Sequence, residues 1–473
     1  MKTPPKLPFL KDQSGTTVPL FALLLTAMMT TIGGAVDIGQ AISMRMKLQQ
    51  ALDAATVAVC TRGDREPGEV MRSYLEEALG QFGRSLQDEP QGANAIAPAP
   101  TGNQVRLQGT EFDAINGQIS PQVDTSLSTT MLKLVGIDTI DVWAKSAVKC
   151  GSKRLELSLV MDITGSMDER VNGVKKIDSL KQAANDVLDI FQYNIDAGAT
   201  KIALVPFSET VNVGSTYAPR VRGTPLSGTS TTTGMTKYRH RNQDNEWQTW
   251  NISNCVSERT TIDKWTDNPP LCVGPLCTSK VGNVYTSNGQ CAPTNQLVPL
   301  STDRAMLRNQ VNAYQPSGYT AGHIGAAWGW YVLSPRWSSV WTNNVPEDHN
   351  PEELIKATII MTDGEFNTQY RDGVQDRYHK NSANNGSSNY QFEEICKAMK
   401  DPKKNGSLDD GIVVYTVGFG LDPNGATAQR LKSCASDNTK FFFPYNGEQL
   451  RAAFRSIGNQ LAAGQAGAAI VQE

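Results

Sequence analysis

The chain has 473 residues, a formal charge of −3 and 19% charged side chains. That length can bury a large core and exceeds one ordinary domain. Near charge balance with scattered Lys and Arg excludes a basic nucleic-acid-binding stripe, and the composition is that of a globular chain with loops, not a disordered one. The first feature along the chain is Thr16–Val36, TTVPLFALLLTAMMTTIGGAV, which carries no charge. About 20 apolar residues in a helix span a bilayer core, so residues 16–36 predict a single transmembrane segment. Lys2, Lys6 and Lys11 precede it, and the positive-inside rule then keeps the N-terminus cytoplasmic and exports the residues after Val36. No A-x-A-like cleavage site comes after the run, and the helical pattern continues through Arg45, Leu48, Leu52 and Ala55, which favours an uncleaved anchor over a signal peptide.

Gly15, the apolar run, Val36-Asp37-Ile38-Gly39-Gln40 and Leu48-Gln49-Gln50-Ala51-Leu52-Asp53-Ala54-Ala55 occur in a set order. Together they resemble the TadE/TadG group, pilus-assembly proteins of the bacterial tight-adherence (Flp-type) system. The resemblance covers about the first 60 residues and implies an inner-membrane protein with its bulk in the periplasm. Larger members of that group also carry a von Willebrand factor A domain. One departure is plain: pilin-like members have a Glu shortly after the Gly, whereas no carboxylate lies between Gly15 and Asp37. This speaks against prepilin-peptidase cleavage at Gly15 and against packing into a pilus shaft.

Residues 61–150 predict a small α/β module. It holds a helix over Glu69–Leu86, breakers at Pro67 and Pro90–Gly102, and short alternating runs at Gln104–Leu107 and Thr139–Ala147 that read as strands. Cys60 and Cys150 bracket it. All eight cysteines are free to pair if the body lies in an oxidising compartment. Cys396 and Cys434 fall on two expected helices. Cys255, Cys272, Cys277 and Cys291 crowd one polar stretch, where disulfides fit better than a zinc knuckle lacking a second matched pair.

From residue 152 to about 460, strands and helices alternate, which predicts a doubly wound, mostly parallel α/β sheet. The expected elements are the strands Leu155–Met161, Lys201–Phe207, Leu297–Leu300, Lys356–Met361, Gly411–Phe419 and Phe441–Phe443. Between them come helices at Ile177–Tyr193, Asp303–Tyr314, Ile324–Leu333, Phe392–Met399 and Ala426–Cys434, with a last helix from Gln449. The alternation breaks at about 211–295 into a polar tract holding Trp247, Trp250 and Trp265, too long for a loop of a compact domain. The closing Ala/Gly/Gln-rich residues read as a fraying tail.

Asp162-Ile163-Thr164-Gly165-Ser166 comes directly after the first buried strand, at the sheet edge where open α/β folds bind ligands. One carboxylate and two hydroxyls on a tight loop suit a hard divalent cation, Mg²⁺ before Zn²⁺. Ser317-Gly318-Tyr319-Thr320-Ala321-Gly322 opens a helix, and Thr362-Asp363-Gly364 ends another strand. These three segments, in this order, resemble the metal-ion-dependent adhesion site of the von Willebrand factor A family over residues 152–460. Thr164 stands where Ser is commoner, with an equivalent hydroxyl. The resemblance implies a site of Asp162, Thr164, Ser166, Thr320 and Asp363 holding Mg²⁺, or Mn²⁺ or Ca²⁺. It also implies capture of a partner's carboxylate on the open coordination position.

The expectation is therefore a metal-dependent protein-binding subunit of pilus assembly or adhesion, not an enzyme. Protein partners of the envelope machinery are expected, with no nucleic acid and no small-molecule substrate. The alternative is a structural subunit whose metal only stabilises the fold. A hydrolase built on Ser166, His323 and Asp363 is a weaker reading, because the G-x-S-x-G elbow is absent. No phosphate-binding G-x-x-x-x-G-K-[ST] loop occurs either.

Overall fold

A computed structural model describes residues 17–61, 66–87, 100, 102–111, 113, 118–260, 262–286, 291–378, 385–400 and 411–471. They divide into two compact units. The first unit holds the described residues up to Asp113, those of 118–150 and the last strand residues. The second runs essentially from Gly151 to Gly467.

The first unit begins with one long helix, α1, Thr17–Thr61. Its second half places Leu48, Leu52, Ala55 and Val59 on one face at helical spacing. That face packs with Val70, Met71, Leu75 and Leu79 of α2, Pro67–Gly80, into a core shared with Val105, Val123 and Val142. The last three belong to a four-stranded sheet of β1, Ser85–Leu86, β2, Gln104–Gln108, β3, Gln122–Ser128, and β4, Thr139–Lys145. The strands keep chain order across the sheet, with β1 parallel to β2 and the rest antiparallel. In the first half of α1, Phe21, Leu24, Met28 and Ile32 are exposed. The expected span at 16–36 lies partly outside the described residues. Among those described, no helix is long and apolar enough to cross a membrane. The side chains of Cys60 and Cys150 also lie outside the described residues.

The second unit is built on a six-stranded sheet. Its strands are β5, Arg154–Asp162, β6, Thr200–Phe207, β7, Val298–Ser301, β8, Leu354–Thr362, β9, Val413–Gly418, and β10, Phe441–Phe442. The order is β7-β6-β5-β8-β9-β10. Only the β7–β6 pair is antiparallel. The central strands are near-continuous runs of buried aliphatics because helices cover both faces of the sheet. On one face lie α3, Lys176–Ile190, α4, Arg304–Ala313, and α8, Gly447–Gln465. On the other lie α5, Gly322–Tyr331, α6, Ser388–Lys400, and α7, Ala426–Cys434.

Helix α5 is buried along its whole length, and Gly329 lets it approach the sheet closely. A Cβ there would stand 2.4 Å from Val160 Cγ2 on β5. This contact docks the helix that begins just after Thr320 directly onto the strand that ends in Asp162. Cys396 of α6 is disulfide-bonded to Cys434 of α7, and Cys255–Cys291 and Cys272–Cys277 are also bonded.

Three segments differ from the sequence reading. The helix expected over Glu69–Leu86 ends at Gly80, and Ser85–Leu86 is a strand. The polar tract is a sheet of its own, with Val211–Asn212, Trp247–Ser257, Met235–Arg241 and Leu226–Ser230 in that order and Gly282–Thr286 paired to Trp247–Ser257. Most positions of its strands are only partly buried, so no apolar alternation marks them. Ala466–Val471 is a strand rather than a frayed end, since backbone pairing at a sheet edge needs no apolar side-chain signal.

Candidate metal centre

Four parallel strands end together and bring their loops to one edge. Asp162 ends β5 beside Phe207 of β6, and Thr362 ends β8 beside Gly418 of β9. The loop after Asp162 turns into a short 3-10 helix, Gly165–Asp168. Its shape is fixed by the Thr164 N–H, which donates to Asp162 Oδ1 at 2.9 Å. The hydroxyls of Thr164 and Ser166 come within 3.0 Å of each other, and Ser166 donates to Asp363 Oδ1 at 2.6 Å. Thr362 donates to Asp162 Oδ2 at 2.6 Å.

Asp162, Thr164, Ser166 and Asp363 are thus one hydrogen-bonded cluster. Thr320 is brought to the same edge through its loop. The Gly165 N–H donates to the Gly318 carbonyl at 3.0 Å, the Ser317 N–H to the Ile163 carbonyl at 2.9 Å, and the Ala321 N–H to the Ser208 carbonyl at 2.8 Å. Asn367 clamps Thr320 itself: its Oδ1 accepts the Thr320 N–H at 3.0 Å, while its own N–H donates to the Thr320 carbonyl at 2.9 Å. No hydrogen bond joins the Thr320 hydroxyl to the other nominated residues among those described.

The cluster is electrostatically strained. Asp162 is fully buried, and burial, together with the neighbouring Asp363 carboxylate, pushes its pKa upward against its bonds to Thr164 and Thr362. Two carboxylates in a low-dielectric pocket repel unless a cation lies between or beside them. Within the chain that cation is Lys176, the first residue of α3. Its Nζ lies 2.9 Å from Asp363 Oδ2 and 2.8 Å from Glu169 Oε2.

The donor set is made of oxygen atoms alone, with two carboxylates and several hydroxyls, which fits a hard divalent ion better than a soft one. Among the described residues no three His, Cys, Asp or Glu side chains gather into a metal-binding group. A cation here would therefore depend on hydroxyl ligands. Both Asp162 oxygens already accept hydrogen bonds, so the residue suits contact through water more than direct ligation.

Four participants were not foreseen from sequence. Lys176 and Glu169 gave no signal, because their reach depends on the hairpin Arg170–Lys175 folding back. Thr362 was adjacent to a nominated residue and its T-D-G setting was the available clue. Glu209 lies just past β6; it is buried with Oε2 unpartnered, and burial pushes its pKa up to about 7 against the opposing charge of Arg377. Its carboxyl carbon would lie 3.2 Å from a Cβ placed on Gly318. Arg377 stacks over the ring of Tyr319 at 3.4 Å, next to Thr320. The Ser166–His323–Asp363 set does not assemble. His323 is buried, with Nδ1 2.6 Å from Ser388 Oγ and Nε2 3.7 Å from Glu258.

Residues 15–61 match the family described as "Putative Flp pilus-assembly TadE/G-like". The N-terminal segment is TadE/G-like. Among solved structures, the chain is similar to the von Willebrand factor domain of the type V pilus tip protein Mfa5 from Porphyromonas gingivalis. That match has 11% identity and a TM-score of 0.36, covering 66% of this chain and 96% of that one. It is also similar to the pilus adhesin SpaC from Lactobacillus rhamnosus GG, with 12% identity and a TM-score of 0.32 over 76% of this chain and 34% of that one. A third is proximal thread matrix protein 1 from the mussel byssus with a zinc-occupied MIDAS motif. There the identity is 11% and the TM-score 0.30, over 68% of this chain and 48% of that one. The chain thus spans about a third of the adhesin and about half of the mussel protein. No curated protein matches. The fold and the site rest on this chain's own topology and contacts. The family match ties residues 15–61 to pilus assembly.

Proposed function

We propose that the chain is a membrane-anchored, protein-binding subunit of tight-adherence pilus assembly or adhesion. In this reading residues 151–467 form a von Willebrand A-type domain whose sheet edge holds a divalent cation, Mg²⁺ first. Asp162, Thr164, Ser166, Thr320 and Asp363 would hold it, and the ion would supply a Lewis-acidic position for an Asp or Glu side chain of a protein partner. The chain's own groups orient and limit that contact. Thr362 and the Thr164 N–H fix Asp162, Asn367 fixes the Thr320 loop, and Tyr319 with Arg377 forms a rim carrying positive charge. The observation that carries the reading is the convergence of Asp162, Thr164, Ser166 and Asp363, from segments some 200 positions apart, into one hydroxyl-rich cluster.

The uncharged run over residues 16–36 and the TadE/G-like match over 15–61 support anchoring in the bacterial inner membrane, with the remainder periplasmic. The disulfides fit an oxidising compartment. A second reading, a structural subunit, is favoured by the Lys176–Asp363 ion pair, which already neutralises part of the cluster. A pull-down from envelope extract with and without chelator, repeated with Asp162→Ala, separates them. Partner capture lost on chelation and in the variant, with unchanged circular dichroism, supports binding. Capture unaffected by both refutes it.

A further inference from the structure

Between Thr17 and Met44, α1 carries a single charged residue, Asp37. That charge is not presented to solvent: Asp37 is 5% exposed. Its Oδ2 accepts the N–H groups of Met131 and Leu132, each at 2.8 Å, and its carboxylate also accepts the Thr130 N–H at 3.1 Å. The segment it holds leads into a short 3-10 helix, Leu132–Val135, closed by Gly136 in the left-handed conformation at φ 84°. Gly33 and Gly34 complete the dock. A Cβ on Gly33 would stand 2.2 Å from Met131 Cγ, and one on Gly34 3.0 Å from Leu132 Cδ2. Helix and loop therefore touch at the level of Gly33 to Asp37, and that contact leaves no room for larger side chains.

The outward side of the dock is apolar. Leu134 is 73% exposed, Val135 55% and Ile137 47%, beside Ile32, Val36 and Ile38 of α1 at 65%, 54% and 51%. Exposed apolar side chains gathered around one dock on a soluble surface mark a partner or a membrane. Position decides between them. From Thr17 to Val36 the helix rises about 30 Å, the thickness of a bilayer's hydrocarbon core. A loop fixed at Gly33–Asp37 thus lies at the hydrocarbon–headgroup boundary wherever the run before it crosses. Lys133, alone among these loop residues in bearing a charge, can extend its ammonium to the headgroups while its stem stays in the apolar layer.

We propose that Met131–Ile137 is a membrane-seated wedge, its apolar side chains entering the interfacial layer of the phospholipid bilayer beside the exit of α1. Asp37 pins it there by directing its charge to backbone amides. The inference rests on the proposed membrane anchoring. It fits a monotopic contact added to a spanning helix, and it sets how the first unit meets the lipid surface.

The test is photocrosslinking of the full chain in native membranes, with p-benzoylphenylalanine placed at Leu134, at Phe21 within the uncharged run, or at the exposed Glu77 of α2. Phospholipid adducts at Phe21 and Leu134 but not Glu77 support the wedge. Lipid adducts at Phe21 alone overturn it and leave the anchor standing, as does a protein adduct at Leu134, which would assign the patch to another subunit. Absence of lipid at both Phe21 and Leu134 overturns wedge and anchor together. With Asp37→Ala, the lipid yield at Leu134 is expected to fall several-fold while that at Phe21 holds. An unchanged yield at Leu134 refutes the pinning.

Discussion

Asp37 and Asp162 are both buried carboxylates that receive backbone N–H groups, yet their surroundings differ in a way that separates structure from function. Asp37 is saturated by amides from a single loop, with no second carboxylate among the groups bonded to it. Asp162 receives one amide and one hydroxyl and faces Asp363, whose balancing charge is a lysine shared with Glu169. A carboxylate with enough donors is a fastener, whereas one left with a like-charged neighbour is a site suited to a cation. In the proposed reading the first arrangement contributes to stability and the second to binding.

Asp37→Ala sharpens the contrast most. It strands the amides of Thr130–Leu132 and should free the loop they belong to. Limited proteolysis within 131–137 reads the released loop, and an unaltered cleavage pattern would show that the carboxylate is not a fastener. Asp162→Ala should act oppositely. Loss of Mg²⁺ affinity of about a hundredfold, roughly 2.7 kcal/mol, is expected by calorimetry, with no loss of thermal stability in chelator because a repulsion is removed. A variant that unfolds instead would place Asp162 with Asp37.

Glu209 gives the pH test. Its pKa is raised to about 7 by burial, with Arg377 opposing and the Tyr370 hydroxyl nearby. The folded state therefore keeps a proton that the unfolded state releases near the ordinary Glu value. Stability should be fully present below that value and fall by about 3 kcal/mol as pH rises to about 7. Denaturant titrations of the metal-free protein should show this slope, shallower in Glu209→Gln; an identical slope in the variant would remove Glu209 from the account. The smallest effect is expected for Lys176→Met. Removing the internal cation should strengthen Mg²⁺ binding about threefold to tenfold, near 1 kcal/mol. Weaker binding would mean that Lys176 organises the site and does not compete for it.

The alternation of strand and helix, the three site segments and the TadE/G-like N-terminus were legible because each is carried by local pattern. Buried parallel strands are unbroken aliphatic runs, and helices such as α3 repeat their apolar residues every three or four positions. The motif loops come directly after those strands. The polar tract was not legible as a sheet, since partly exposed strands rich in Thr, Ser and Asn lack that periodicity. The cysteine pairs were readable as candidates, but which of Cys255, Cys272, Cys277 and Cys291 join depends on how that tract folds, Cys272 and Cys277 facing each other across a separate hairpin.

The sequence by itself determined the chemistry available to this protein: oxygen ligands at strand ends, an uncharged N-terminal run, cysteines in number. Only the tertiary structure decided which groups each charge meets. Asp37 lies some 93 positions from the amides it binds, and Lys176 some 187 from Asp363. Contacts at such separations leave no periodic trace in the chain, because they are set by which elements the fold packs together and how closely small residues such as Gly33 and Gly329 let them approach.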